Sequence, residues 1–266
     1  MRIAATAALL GLALALPAAA AAAPPTKDPS ELVVGVSMPV AGLQVGAVRG
    51  RTVVLAKGLE IDLARALAKR LGVPRVRFVH EALFSTLVSG RPADWDLALA
   101  AITITPERAR RVDFSKPYLG SDQAVLMRKG FTPVPTSIAG LRGLQLCSER
   151  ATTGARAIVD RIKPTKKPRL VANPSQLTYD LYNDRCDAIV FDAAVLGAAR
   201  AATPDRYGPF AGRIDTRESY GIAFPKGSPL RARVNAALSA LIRDGTVARL
   251  QKRWLTTDVA KLRVLR

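Results

Sequence analysis

Histidine and cysteine are the scarcest chemistry-bearing residues in this sequence: one histidine, His80, and two cysteines, Cys147 and Cys186, in 266 residues. With a single histidine and no Ser/His/Asp set, hydrolytic catalysis of the triad type is poorly supported. Two distant cysteines without a closely spaced ligand pair argue against a zinc site. His80 falls at a strand-to-helix junction, where such a residue is solvated or caps a turn, and no role is assigned to it. Aromatic residues make up 5% of the chain, too few for base-stacking platforms. Acidic residues are scarce as well, 21 against 40 lysines and arginines, for a formal net charge of +19. That balance raises nucleic acid or an anionic surface as a partner. The basic residues are scattered rather than clustered, so nucleic acid is set aside and a weak attraction to anionic envelope surfaces is retained. No cofactor, metal ligand set or catalytic group is indicated.

Long apolar runs are missing too, apart from the N-terminus. Residues 1–23 read as a cleavable secretory leader, with Arg2 as the charged start, residues 3–16 as the apolar core and the alanine run at 18–23 offering cleavage sites. The apolar part falls short of the ~20 residues that a membrane span needs. No cysteine lies near the cleavage region, which argues against a lipid anchor. In an exported chain an even cysteine count permits a disulfide, with two buried free thiols as the alternative.

What is present is organised around residues 96–118, DLALAAITITPERARRVDFSKPY. The apolar run at 97–101 suits a buried parallel strand. Thr105 then fits an N-cap and Pro106 the first position of a short helix. This strand end brings together a hydroxyl, Thr103, and a guanidinium, Arg108. Ligands of open α/β sheets bind at the carboxyl ends of strands, and arginine is the side chain best shaped to grip a carboxylate. Arg108 is therefore a candidate for holding a small carboxylate. The alternative is a solvated helix charge.

Elsewhere strands and helices alternate, which gives an α/β class. Strands are expected at 32–37, 76–79, 124–127, 144–147, 169–172, 187–192 and 220–224, with a hairpin returning through 53–55. Helices are expected at 58–71, where Gly72 stops the apolar stripe, and at 81–89, 136–141, 155–162, 175–184, 193–202 and 229–255, the last broken near Gly245. Residues 24–31 read as a flexible polar leader and 256–266 as a loosely docked tail. Asp192 ends a buried strand, where it either faces a ligand or caps the next helix. Thr152 and Thr153 open another helix, as N-caps, as anion donors, or as both.

Several ordered blocks, ITITPERARRVDFSKPY at 102–118, GLEIDL at 58–63, DAIVFD at 187–192 and YGIAFPKGS at 220–228, resemble the periplasmic solute-binding proteins of family 3, the polar amino-acid receptors of ABC importers. The resemblance runs over nearly the whole mature chain and is closest to the glutamine- and histidine-binding members. It implies two α/β lobes of the type II periplasmic-binding-protein fold joined by two crossover hinge strands. The first lobe would span 31–125 and the second 126–219, with 220–266 returning to the first. It also implies a monomer that captures an amino acid in the interlobe cleft and passes it to an inner-membrane permease.

Carried over by resemblance, Arg108 and Thr103 would hold the carboxylate from one lobe, and Thr152 and Thr153 from the other. Asp192 and the Ala101 carbonyl would accept from the ammonium. Leu59 stands where the glutamine-binding members have a phenylalanine on the ligand, and residues 38–56 hold no aromatic, so both walls of the usual aromatic sandwich are expected to be aliphatic. Glu149 stands where those members have a lysine; it favours a cationic or amide side chain, or else pairs with Arg150. The strands carrying Cys147 and Cys186 are expected to be neighbours, which favours the disulfide, and some general amino-acid-binding members have Cys at both places. An exported dehydratase acting on cyclohexadienyl acids, or a sensory envelope protein, are the alternatives.

Overall fold

The computed structural model describes residues 23–255 and 257–266. The secretory leader expected at 1–23 lies, except for Ala23, outside the described residues. Runs of branched aliphatic side chains form the centres of two sheets. Leu32, Val33, Val34 and Val36 of strand Glu31–Val36 are no more than 1% exposed, as a parallel strand covered on both faces requires. This strand pairs in parallel with Arg75–His80 and with Leu97–Ala98. The full order is Val45–Arg49, Thr52–Lys57, Arg75–His80, Glu31–Val36, Leu97–Ala98, Ala223–Phe224 and Asp113–Phe114. Helix Leu59–Leu71 buries Ile61, Leu63 and Leu67 against Leu32, Val34 and Leu97. Gly58 opens it at φ +131, where an added Cβ would lie 2.1 Å from the Leu43 carbonyl oxygen. Only glycine fits there.

The second lobe is a five-stranded sheet in the order Arg169–Val171, Leu146–Glu149, Ala188–Asp192, Gln123–Arg128, Tyr207–Ile214. A disulfide joins Cys147 to Cys186, with their Cα atoms 5.9 Å apart, at adjacent strands of this sheet. Leu119–Gly120 and Ser219–Tyr220 form an antiparallel ribbon between the lobes. Because Gln123–Arg128 lies wholly in the second sheet, the first boundary falls at 119–122 and not after residue 125.

The tail also differs from expectation. Residues 257–266 return to the second lobe instead of resting on the first. Thr257 Oγ1 donates to the Gly197 carbonyl at 3.0 Å, Leu265 N–H to the Arg213 carbonyl at 2.8 Å, and Ile138 N–H to the Arg266 carbonyl at 3.0 Å. Leu265, 3% exposed, joins the core of that lobe. The cause is an edge: Tyr207–Ile214 ends the sheet, and its unpaired backbone groups accept another extended segment. Pro209, Gly208 and Gly212 interrupt that strand, so it reads as a loop in the sequence. The polar leader is tied down as well, with Lys27 N–H donating to Asp96 Oδ1 at 2.7 Å. The helix expected at 81–89 contracts to Phe84–Leu87, since serine, threonine and valine are weak helix formers.

Candidate functional site

Beyond strand Leu97–Ala98 the chain bends through Ala100 and Ala101 to Thr103 along a cleft between the lobes. Ala101 is held at φ +51, and its N–H donates to Glu60 Oε1 at 2.8 Å. Glu60 is fully buried and also accepts from the Tyr118 hydroxyl and from Gln44 Nε2. Burial pushes Glu60 up to about 7, although these three donors pull the other way. Thr105 Oγ1 accepts from the Arg108 N–H at 3.2 Å and caps helix Pro106–Ala109. The cap fixes Arg108, which is 7% exposed. Its guanidinium carbon lies 4.9 Å from the Phe84 ring centroid. Nη1 donates to the Thr103 carbonyl at 2.9 Å and Nη2 crosses the cleft to the Ala151 carbonyl at 3.0 Å.

The second lobe supplies the acids. Glu149 ends strand Leu146–Glu149 and is 3% exposed. Its carboxylate makes no hydrogen bond or ion pair among the described residues. Arg150, the alternative partner, turns away to the Leu170 carbonyl at 3.0 Å. Burial and, less strongly, the nearby Asp192 push Glu149 up to about 8. Asp192 occupies the N-cap position of helix Ala193–Ala202 but makes no side-chain cap. It accepts instead from Gln123 Nε2 at 2.5 Å. Burial, then the charge of Glu218, push it up to about 7. Thr152 caps helix Thr153–Ala157 through the Ala155 N–H. At Gly154 an added Cβ would meet the Val190 carbonyl oxygen at 2.6 Å, so this turn packs directly on the strand that ends at Asp192.

Ala101, Thr103, Arg108, Glu149, Thr152, Thr153 and Asp192 therefore line one cleft. Leu59 does not. It is fully buried in the first lobe's core, because it falls on the inward stripe of its helix. The expected aliphatic walls are likewise corrected, since Phe84 and Phe191 line the cleft with Val40. Two polar residues went unread in the sequence. Gln123 Nε2 donates to Glu218 Oε2 at 2.9 Å, and Glu218 Oε2 also accepts from Thr153 Oγ1 at 2.7 Å. The signal for Gln123 was a buried polar residue opening an apolar strand; Glu218, just before the hinge ribbon, gave none. Among the described residues no group of three or more His, Cys, Asp and Glu side chains is arranged to hold a metal ion, and no helix is long and apolar enough to cross a membrane.

The profile of the bacterial extracellular solute-binding proteins, family 3, matches residues 51–257. The arginine-binding protein 1 of an Escherichia coli K12 ABC transporter is 27% identical over 202 residues, 74% of this chain and 81% of the relative. The glutamine-binding protein GlnH of a Bacillus subtilis 168 ABC transporter is 29% identical over 208 residues, 77% and 75% of the two chains. Among solved structures, an ancestral arginine-binding protein bound to glutamine superposes with a TM-score of 0.73 at 31% identity, over 86% of this chain and 99% of that one. An ancestral amino acid-binding protein described as a precursor of cyclohexadienyl dehydratase gives 0.73 at 30% identity, over 85% and 95%. With the profile covering most of its length and the cleft lying between two α/β lobes, the chain belongs to the bacterial extracellular solute-binding proteins, family 3.

Proposed function

We propose that the cleft binds an L-α-amino acid with a positively charged side chain and that the loaded chain, a periplasmic monomer, delivers it to an ABC permease. Arg108 and Thr103 hold the α-carboxylate from the first lobe, and the turn carrying Thr152 and Thr153 meets it from the second. Asp192 and the Ala101 carbonyl accept from the α-ammonium, and Glu149 receives the side-chain cation. A ligand held by both lobes favours the closed form, because only contacts made in one state shift the balance between states.

The observation that carries this reading is Glu149, a buried carboxylate left without a donor among the described residues. Burying a charge is costly unless it is paired. Arg108 feels the charges of Asp192 and Glu218, and Glu149 lines the same cleft, so the site holds more potential negative than positive charge. An amino acid with one carboxylate and two cationic groups restores the balance. Relatives named for arginine binding support it.

Calorimetric titration of the mature chain with L-arginine, L-lysine, L-glutamine and L-glutamate tests it. Arginine or lysine should bind, glutamine more weakly and glutamate not at all. Tight glutamate binding with no response to arginine or lysine overturns it.

A second reading rests on the same group. A carboxyl held at about 8 is protonated near neutrality and can donate a proton, and one similar structure is described as a dehydratase precursor. We propose no turnover. Formation of a phenylpyruvate or phenylalanine product from prephenate or arogenate would reverse that.

A further inference from the structure

Beside the amino-acid cleft lies a second, larger space between the lobes. Its cavity volume is about 360 Å³, against about 20 Å³ for the cleft. Val40, Pro174 and Phe191 belong to both linings, so the two spaces adjoin across these three side chains. The outer walls are mostly apolar: Val45 comes from the first lobe, and Leu177, Ile189, Val195, Leu196 and Ala199 come from the second. Thr178 and Arg206 stand toward the exposed side.

Both lobes shape this chamber. At Gly42 of the first lobe, an added Cβ would lie 2.6 Å from the Ala198 Cβ of helix Ala193–Ala202, so the loop leans directly on the second lobe. The loop holds no aromatic side chain, and the small Val40 forms its part of the shared wall.

We propose that the outer chamber receives the far end of the ligand, and that the ligand is a basic α-amino acid carrying a bulky, largely apolar substituent beyond its side-chain cation. This rests on the amino-acid reading of the inner cleft. The acids of that cleft, Glu149 and Asp192, are placed for a charged head group and find no counterpart in the chamber, whose walls suit hydrocarbon. A bare side chain would leave apolar surface from both lobes against water. A substituent that fills the chamber removes that surface from water only when the lobes are closed, so it adds to closure as well as to affinity.

Calorimetric titration with L-lysine and with Nε-benzyl-L-lysine separates the possibilities, because the second keeps the cation and adds only an apolar ring. The benzyl compound should bind at least tenfold more tightly. Ala199→Trp and Ser175→Trp, which fill the chamber from two different helices, should abolish that gain and leave L-lysine binding unchanged. Retained lysine binding reports that each variant folds. Lysine binding without any gain from the benzyl group, or a gain that survives both tryptophans, overturns the chamber alone. Failure of both compounds and of L-arginine with the unaltered chain overturns the inner-cleft reading and the chamber with it.

Discussion

The two lobes each bury a glutamate, and the two sites are built in opposite ways. Glu60 in the first lobe sits among the Ala101 N–H, the Tyr118 hydroxyl and the Gln44 amide. Glu149 in the second is buried to a similar degree and has no donor among the described residues. Burial pushes both upward, to about 7 and about 8. Burial and a raised pKa therefore do not by themselves mark a binding group. Under the proposed function it is the missing partner that singles out Glu149, because a satisfied carboxylate organises its own surroundings and an unsatisfied one can take a cation. Glu60 holds the backbone at Ala101 in its left-handed turn, so it positions the cleft without lining it.

The largest expected effect is on Arg108, the cation around which both halves meet. Arg108→Ala should weaken amino-acid binding at least ~30-fold, since removing one partner of a desolvated charge pair costs about 2–5 kcal/mol. A titration in which Arg108→Ala keeps its affinity would remove the carboxylate role.

Substituting the two glutamates should then separate them. Glu60→Leu leaves three buried donors unpaired and should cost about 2–4 kcal/mol of unfolding free energy in urea. Glu149→Gln should leave the stability of the empty chain unchanged or raise it by about 1 kcal/mol. It should also weaken lysine or arginine binding by about 10- to 150-fold while sparing glutamine, one ionic hydrogen bond being worth about 1.5–3 kcal/mol. Equal responses of the two variants in both assays would erase the contrast.

The pH dependence is smaller and has a definite sign. Glu60, Glu149 and Asp192 all have folded values above their usual ones. Each contributes stability that is full below the unfolded value and is lost as pH rises through the folded one. The empty chain should thus lose stability from about pH 4.5 to 8, over the window set by Glu149. Glu149→Gln should flatten the upper end of that slope. A cationic ligand pulls Glu149 back down, so its binding at pH 7 should release about one proton, read from titrations in buffers of different ionisation enthalpy. Its affinity should improve as pH rises toward 8. Release unchanged in Glu149→Gln would assign the proton to Asp192.

The least effect expected on the cleft comes from the disulfide. Cys147→Ser with Cys186→Ser opens a link 39 residues apart in sequence, and chain-entropy arguments assign it about 4 kcal/mol of stability. Ligand affinity should hold, because the bond ties two strands of one lobe and crosses no hinge.

Much of this was legible in the chain. The run at 97–101, the Thr105 cap and Pro106 mark the end of a buried strand, and local steric and capping rules suffice for that. Apolar periodicity sets the helix at 58–71 for the same reason. Leu59 shows where such reading fails. Its place in a motif drew it toward the ligand, but the inward stripe of its helix takes it into the core. The tail shows another failure: polar residues near a terminus read as loose until an edge strand offers them backbone partners.

By itself the sequence determined the alternation of strands and helices, which depends on neighbours within a few positions. Arg108, Glu149 and Asp192 were singled out with the help of resemblance, and Glu218 gave no signal. Only the tertiary structure decided which buried acid is satisfied and which is open. The partners of Glu60 at Ala101 and Tyr118 lie 41 and 58 positions away along the chain. Hydrogen bonds form at about 3 Å in space whatever the separation in sequence, so packing gave Glu60 its donors and left the Glu149 carboxylate without one among the described residues.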